Sequence, residues 1–117
     1  MNTFINTSNQ LLQFTVNKKQ VSKKNVLKTS ILYDKVEHSA NLSVNPFKEN
    51  LIEDGFKSFE LTILNDAYLN DKLYIKNNIK KYNDSELELK VTVYKKSERN
   101  QDIICKATFG YSLEKAS

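Results

Sequence analysis

A chain of 117 residues, 39% hydrophobic and 27% charged, has room for one modest core and the composition of a folded domain rather than a disordered one. Two glycines and one proline argue against collagen-like, linker-rich and repeat architectures. The net charge of +4 comes from scattered lysines in a chain also rich in Asn and Ile, which reads as a solvated surface and leaves anionic ligands open.

One domain is expected over 1–117, with a flexible N-terminal segment over 1–10. That segment has no basic region followed by an apolar run, so no secretory signal is read there. No apolar run reaches membrane-spanning length, and a reducing cytoplasm is the expected location. Three glycosylation-type triplets, at 6–8, 41–43 and 83–85, read as chance in so Asn-rich a chain.

The first predicted element is a strand in LLQFTVNKK (11–19), followed by Lys18, Lys19, Lys23 and Lys24 in a loop approach. Residues 25–44 are the main helix candidate. At about 100° per residue, Leu32, Tyr33, Val36 and Ala40 form one apolar face and Leu27, Ile31 and Leu42 a second. A helix apolar on more than one side is expected to be surrounded rather than resting on a surface. Pro46 ends it, and KENLIEDGF (48–56) reads as a polar link.

Four segments then alternate with period two. Phe59, Leu61 and Ile63 alternate with Glu60 and Thr62, and Leu73 and Ile75 with Tyr74 and Lys76. The cleanest is ELELKVTVYKK (86–96), with Leu87, Leu89, Val91 and Val93 opposite Glu86, Glu88, Lys90, Thr92 and Tyr94. In the last, Cys105, Ala107, Phe109, Tyr111 and Leu113 line one face. Cys105, the one cysteine, is therefore expected to be a small core residue, and no intrachain disulfide is possible. Polar breaks at 65–71, 82–85 and 97–102 suggest antiparallel hairpins. A strand, a helix and four further strands make an α+β pattern.

Over residues 12–114 this pattern resembles the hotdog-fold acyl-thioester family. Two motifs carry the likeness. Leu69-Asn70-Asp71-Lys72-Leu73 is similar to that family's apolar–Gly–Asp–x–Leu turn, with Asn in place of Gly as the residue that next best tolerates positive φ. Thr29, Glu37 and Ala40 have the spacing found in the helix of small thioesterases such as fluoroacetyl-coenzyme A hydrolase. The resemblance implies a curved antiparallel sheet of about five strands wrapped around one long central helix. It also implies acyl-CoA or acyl-carrier-protein substrates and a homodimer or dimer of dimers.

Thioester hydrolysis needs activated water and donors for an oxyanion. The catalytic candidates are Glu37, Asp34, Thr29 and His38, the chain's one histidine. In a second register of the broader family, Asp34 takes the acidic role instead. Asp34 and His38 are four apart and within reach on a helix. Thr29 also reads as an N-cap, with Leu32 leaving its capping box incomplete. Lys72, Lys80 and Lys81 are candidates for substrate phosphates. No cofactor or metal is expected: one histidine and a few carboxylates make a poor metal site. The family's strand histidine has no counterpart over 61–65, which suits an alternative, a non-catalytic acyl-thioester-binding or carrier-protein-interacting scaffold. A third reading is a small basic nucleic-acid-binding domain, using Tyr74, Tyr82 and Tyr94 among Lys76, Lys80, Lys81, Lys95 and Lys96. A modest charge and the lack of an aromatic RNA-binding motif place it last.

Overall fold

The computed structural model describes residues 11–96 and 101–114. The expected flexible segment over 1–10, the triplet at 6–8 and most of the break at 97–102 lie outside the described residues. The elements run β1 (Leu11–Thr15), α1 (Thr29–Val44), β2 (Leu51–Ile63), β3 (Lys72–Tyr82), β4 (Glu86–Lys96) and β5 (Gln101–Leu113). Short 3-10 turns cover Lys18–Gln20 and Asn45–Asn50, the second with Pro46 near its start. The sheet has five strands in the order β1-β3-β4-β5-β2, every pair antiparallel. One long helix against this curled sheet is the hotdog architecture expected from the sequence.

The core is the seam between α1 and the middle strands. Leu87, Leu89, Val91 and Val93 of β4 are fully buried, as their alternation predicts. Leu73 and Ile75 of β3 and the odd-numbered set from Cys105 to Leu113 of β5 join them. Leu32, Val36 and Ala40 of α1 close the seam from above. Each large aliphatic side chain removed from water here contributes about 1.5–3 kcal/mol.

A polar contact crosses the same seam. Asn77 of β3 is fully buried, and its Nδ2 donates to the Ser39 carbonyl at 3.0 Å and to Ser39 Oγ at 2.6 Å. Such a bond orients as well as stabilises, because a slip of the helix would leave a buried amide unpaired.

The structure corrects three expectations. The helix starts at Thr29, not residue 25, and its N-cap is Lys28, without a side-chain cap bond. Asn25 takes φ 63°, and Val26 and Leu27 form isolated bridges to Tyr68 and Val21, so the chain there is extended. The helix is not enclosed: Ser30, Asp34, Glu37, His38 and Asn41 are exposed, and Ile31 and Leu42 only half-buried. The supposed link over 48–56 is mostly strand, since β2 starts at Leu51. Register shifts on either side of Phe56 break its alternation, which hid the strand. Tyr94 keeps the outward side read for it, opposite Tyr74 and stacked on that ring at 5.5 Å, and is only 7% exposed.

The turn before β3 behaves as read. Asn70 has φ 73°, and its amide donates to the Val16 carbonyl at 2.9 Å. Asp71 accepts from the Tyr68 amide at 2.9 Å and pairs with Lys95 at 3.1 Å.

Gly55 sits where β2 shifts register. A Cβ there would lie 2.6 Å from the Ile52 carbonyl oxygen and 2.8 Å from that of Ser112. Backbone cannot yield as a side chain can, so Gly55→Ala is expected to destabilise the fold by about 1–3 kcal/mol. Urea denaturation would measure it, with Gly55→Ala falling at a lower midpoint and an unchanged slope.

Candidate active site

The sequence candidates on α1 separate by their position around the helix. With Val36 facing the sheet, Glu37 is turned about 100° to one flank, whereas Asp34 and His38 are each about 160° away, on the outer face. Both are exposed, and no hydrogen bond joins them. Asp34 and His38 are thus not brought to the sheet, while Glu37 lies on the flank toward β5 and β2.

Glu37 has an organised surround. Its Oε2 accepts from the Tyr33 hydroxyl at 3.0 Å, one helical turn away. The Tyr33 ring meets Phe59 of β2 edge-on, with centroids 5.2 Å apart and planes at 86°. Phe59 contacts Phe109 at 4.9 Å, and Phe56 contacts Phe109 at 6.4 Å and Tyr111 at 5.7 Å. Glu37 thus hangs over a chain of aromatic rings between the helix and the sheet edge. The electrostatics agree. The bond to Glu37 raises the Tyr33 phenol above its usual range, with burial second. Burial, then the charge of Glu37, pushes Tyr111 up to about 12.

This notch is open because β2 is the end of the sheet. Phe56 is 54% exposed, Phe59 37% and Ile63 43%, although alternation put Phe59 and Ile63 on an apolar face. An edge strand of 13 residues with these three exposed apolar side chains and no partner on its outer side among the described residues is unusual for a domain standing alone.

Thr29 lies elsewhere. It lines a small cavity of about 90 Å³ at the start of α1, with Leu27, Leu32, Ala67 and Ile104 as apolar walls and Asn65 and Asp66 beside it. The first helical amides to find acceptors are those of Ile31 and Leu32, both on the Lys28 carbonyl at 3.1 Å. Those of Thr29 and Ser30 have no acceptor among the described residues. Unpaired amides at a helix start carry partial positive charge and suit an anion or a polarised carbonyl. Asn65, at the end of the stretch without the family's histidine, is anchored by Nδ2 donating to the Ile103 carbonyl at 2.7 Å.

The lysine candidates are placed apart from both spots. Lys80 pairs with Glu88 at 3.4 Å and Lys81 with Glu86. Lys72 lies over the Tyr74 ring, 5.8 Å from its centroid. Lys72 and Lys80 are on the face turned from the helix, where Lys80 borders a polar groove with Lys90 and Lys106. That face offers no row of free aromatics: Tyr94 is buried, Tyr74 stacks on it at 5.5 Å, and Tyr82 leans on Phe47. Among the described residues no group of three or more His, Cys, Asp or Glu side chains could hold a metal ion. No helix there is long and apolar enough to cross a membrane.

Sequence reasoning missed Tyr33, Phe59, Phe109 and Tyr111 as the surround of Glu37, and Asn65 and Asp66 as neighbours of Thr29. Tyr33 was findable, since i,i+4 pairs meet on a helix. The others come from strands far along the chain.

With this geometry the chain resembles solved thioesterases. A hypothetical thioesterase protein from Streptococcus pneumoniae TIGR4 with coenzyme A superposes with TM-score 0.74 at 16% identity, covering 94% of this chain and 83% of that one. An acyl-CoA hydrolase from Staphylococcus aureus, in complex with butyryl coenzyme A, coenzyme A and coenzyme A disulfide, gives 0.78 at 11% identity, covering 92% and 66%. Zebrafish thioesterase superfamily member 2 gives 0.73 at 12%, covering 88% and 72%. At such identities the likeness establishes a common hotdog fold. No family model matches the sequence, and no curated protein does.

Cys105 takes no part in the site. It is fully buried, and burial pushes its thiol up to about 11. At pH 8 the group stays protonated, so a disulfide reagent is expected to label native protein at least 100-fold more slowly than urea-unfolded protein, as followed by absorbance.

Proposed function

We propose that this chain hydrolyses acyl thioesters of coenzyme A, working as a homodimer. The observation that carries the reading is Glu37, a carboxylate on the flank of the helix packed on the sheet, over an aromatic notch at the β2 edge. The likeness to proteins solved with coenzyme A and butyryl coenzyme A supports the substrate class.

In this mechanism Glu37 takes a proton from water, and the oxygen attacks the thioester carbonyl carbon. The carbonyl π electrons move onto oxygen, where the amides of Thr29 and Ser30 receive the charge. Collapse breaks the C–S bond, and the proton on Glu37 passes to the departing thiolate. The products are a carboxylic acid and free coenzyme A.

Thr29 and Glu37 are eight residues apart, roughly 12 Å of helical rise, too far to serve one carbonyl from the same chain. A second copy resolves this. Pairing along β2 would cover Phe56, Phe59 and Ile63 and bring one chain's Glu37 toward the other's helix start. Asp34 and His38, on the outer face, have no role in the step. Lys72, Lys80 and Lys81 would meet the nucleotide phosphates only by exchanging their present partners. An acyl-carrier protein presents the same thioester and is the alternative carrier.

The competing reading keeps the fold and the ligand without turnover, favoured by the lack of a histidine over 61–65. One assay separates the two. Purified protein is given butyryl coenzyme A, and thiol release is followed. Wild type should turn over, Glu37→Gln should lose roughly 10²–10⁴-fold in kcat, and Asp34→Ala and His38→Ala should stay within twofold. Ligand-induced thermal stabilisation with no release by wild type would favour the binding reading. Sedimentation should give twice the chain mass, and Phe59→Lys should shift it toward the monomer.

A further inference from the structure

We infer that Tyr33 is a positioning residue for Glu37, fixing which carboxylate oxygen faces the reacting water. The inference rests on the role proposed above for Glu37 and adds a second residue to it.

A glutamate on the flank of an exposed helix has three free torsions and no reason to hold one geometry. Here one of its oxygens is already engaged. The Tyr33 hydroxyl donates to Oε2 at 3.0 Å, and Oε1 has no protein donor among the described residues. That division of labour is what a general base needs: one oxygen held, the other available to take a proton.

The phenol is itself held. Edge-on contact with Phe59 fixes its ring, and Phe59 is in turn packed on Phe109. The helix beneath is pinned two residues past Glu37, where Ser39 meets Asn77. Position is therefore passed from the sheet to the carboxylate by two routes, through the rings and through the helix backbone. The phenol is a donor through the neutral range in any case, and its hydrogen bond to Glu37 raises it further.

Placement of a general base by a hydrogen bond differs from stability in what it changes. Loss of the hydroxyl should lower kcat and leave substrate binding and folding alone. The experiment is a double-mutant cycle on butyryl coenzyme A hydrolysis with wild type, Tyr33→Phe, Glu37→Gln and the double variant. Phe keeps the ring against Phe59, so melting temperature should match wild type. Tyr33→Phe is expected to lower kcat roughly tenfold or more, about the size of a hydrogen bond to a charged group, with KM within twofold. In the Glu37→Gln background the same change should have no further effect.

Three results would overturn the inference: wild-type kcat in Tyr33→Phe, a loss confined to KM, or losses that multiply in the double variant. Failure of the Glu37 assignment looks different, because Glu37→Gln would then keep wild-type kcat whatever Tyr33→Phe does. A Tyr33→Phe loss alongside an active Glu37→Gln would also reject positioning through Glu37.

Discussion

The burial of one helix on the concave side of one sheet governs this molecule. Leu32, Val36 and Ala40 are committed to β3, β4 and β5, and that commitment fixes the rotation of α1 about its axis. Once the rotation is fixed, every other helix residue has its surroundings assigned. Glu37 falls on the flank above the aromatic edge, Lys35 on the other flank, 4.8 Å from the Phe14 ring centroid, and Asp34 and His38 face outward. The buried bond from Asn77 to Ser39 gives the same rotation a directional lock that apolar packing alone lacks.

The sheet order follows from related constraints. β4 and β5 are each paired on both sides, and their inward residues are almost fully buried. β1 and β2 stand at the ends, and the longer of them, β2, keeps its apolar residues half in water. The same strand supplies Phe59 to the surround of Glu37. The proposed chemistry and the proposed association thus share one border of the molecule.

Legibility in the sequence tracks how regular each element is. β4 was readable because nothing interrupts its period; the shift opposite Val93 and Tyr94 falls on β5, where Ile104 and Cys105 are both buried. The register shifts around Phe56 concealed the first part of β2. The helix was found but begun too early, because Val26 and Leu27 continue its apolar period while lying in extended chain. Asn70 was read correctly, since its left-handed conformation is a local demand that few residues meet. At the site, Glu37 was a candidate from its spacing to Thr29, but its aromatic surround was not legible. That surround is built from Phe59, Phe109 and Tyr111, which only the folded sheet brings near. Asn77 gave no signal at all, because a polar residue on an inward strand position looks like an interruption until its partner on the helix is known.

The start of α1 has a cost written into it. Most helices seal their first turn with Ser, Thr, Asp or Asn, a device typically worth about 1 kcal/mol. Here Lys28 occupies that place, makes no such bond, and leaves two donors beside a hollow. In the proposed mechanism that gap is where the thioester oxygen is received, and a capping side chain would stand in its place. Under that mechanism the forgone stability keeps the donors open, and position 28 is the wrong place for a stabilising cap.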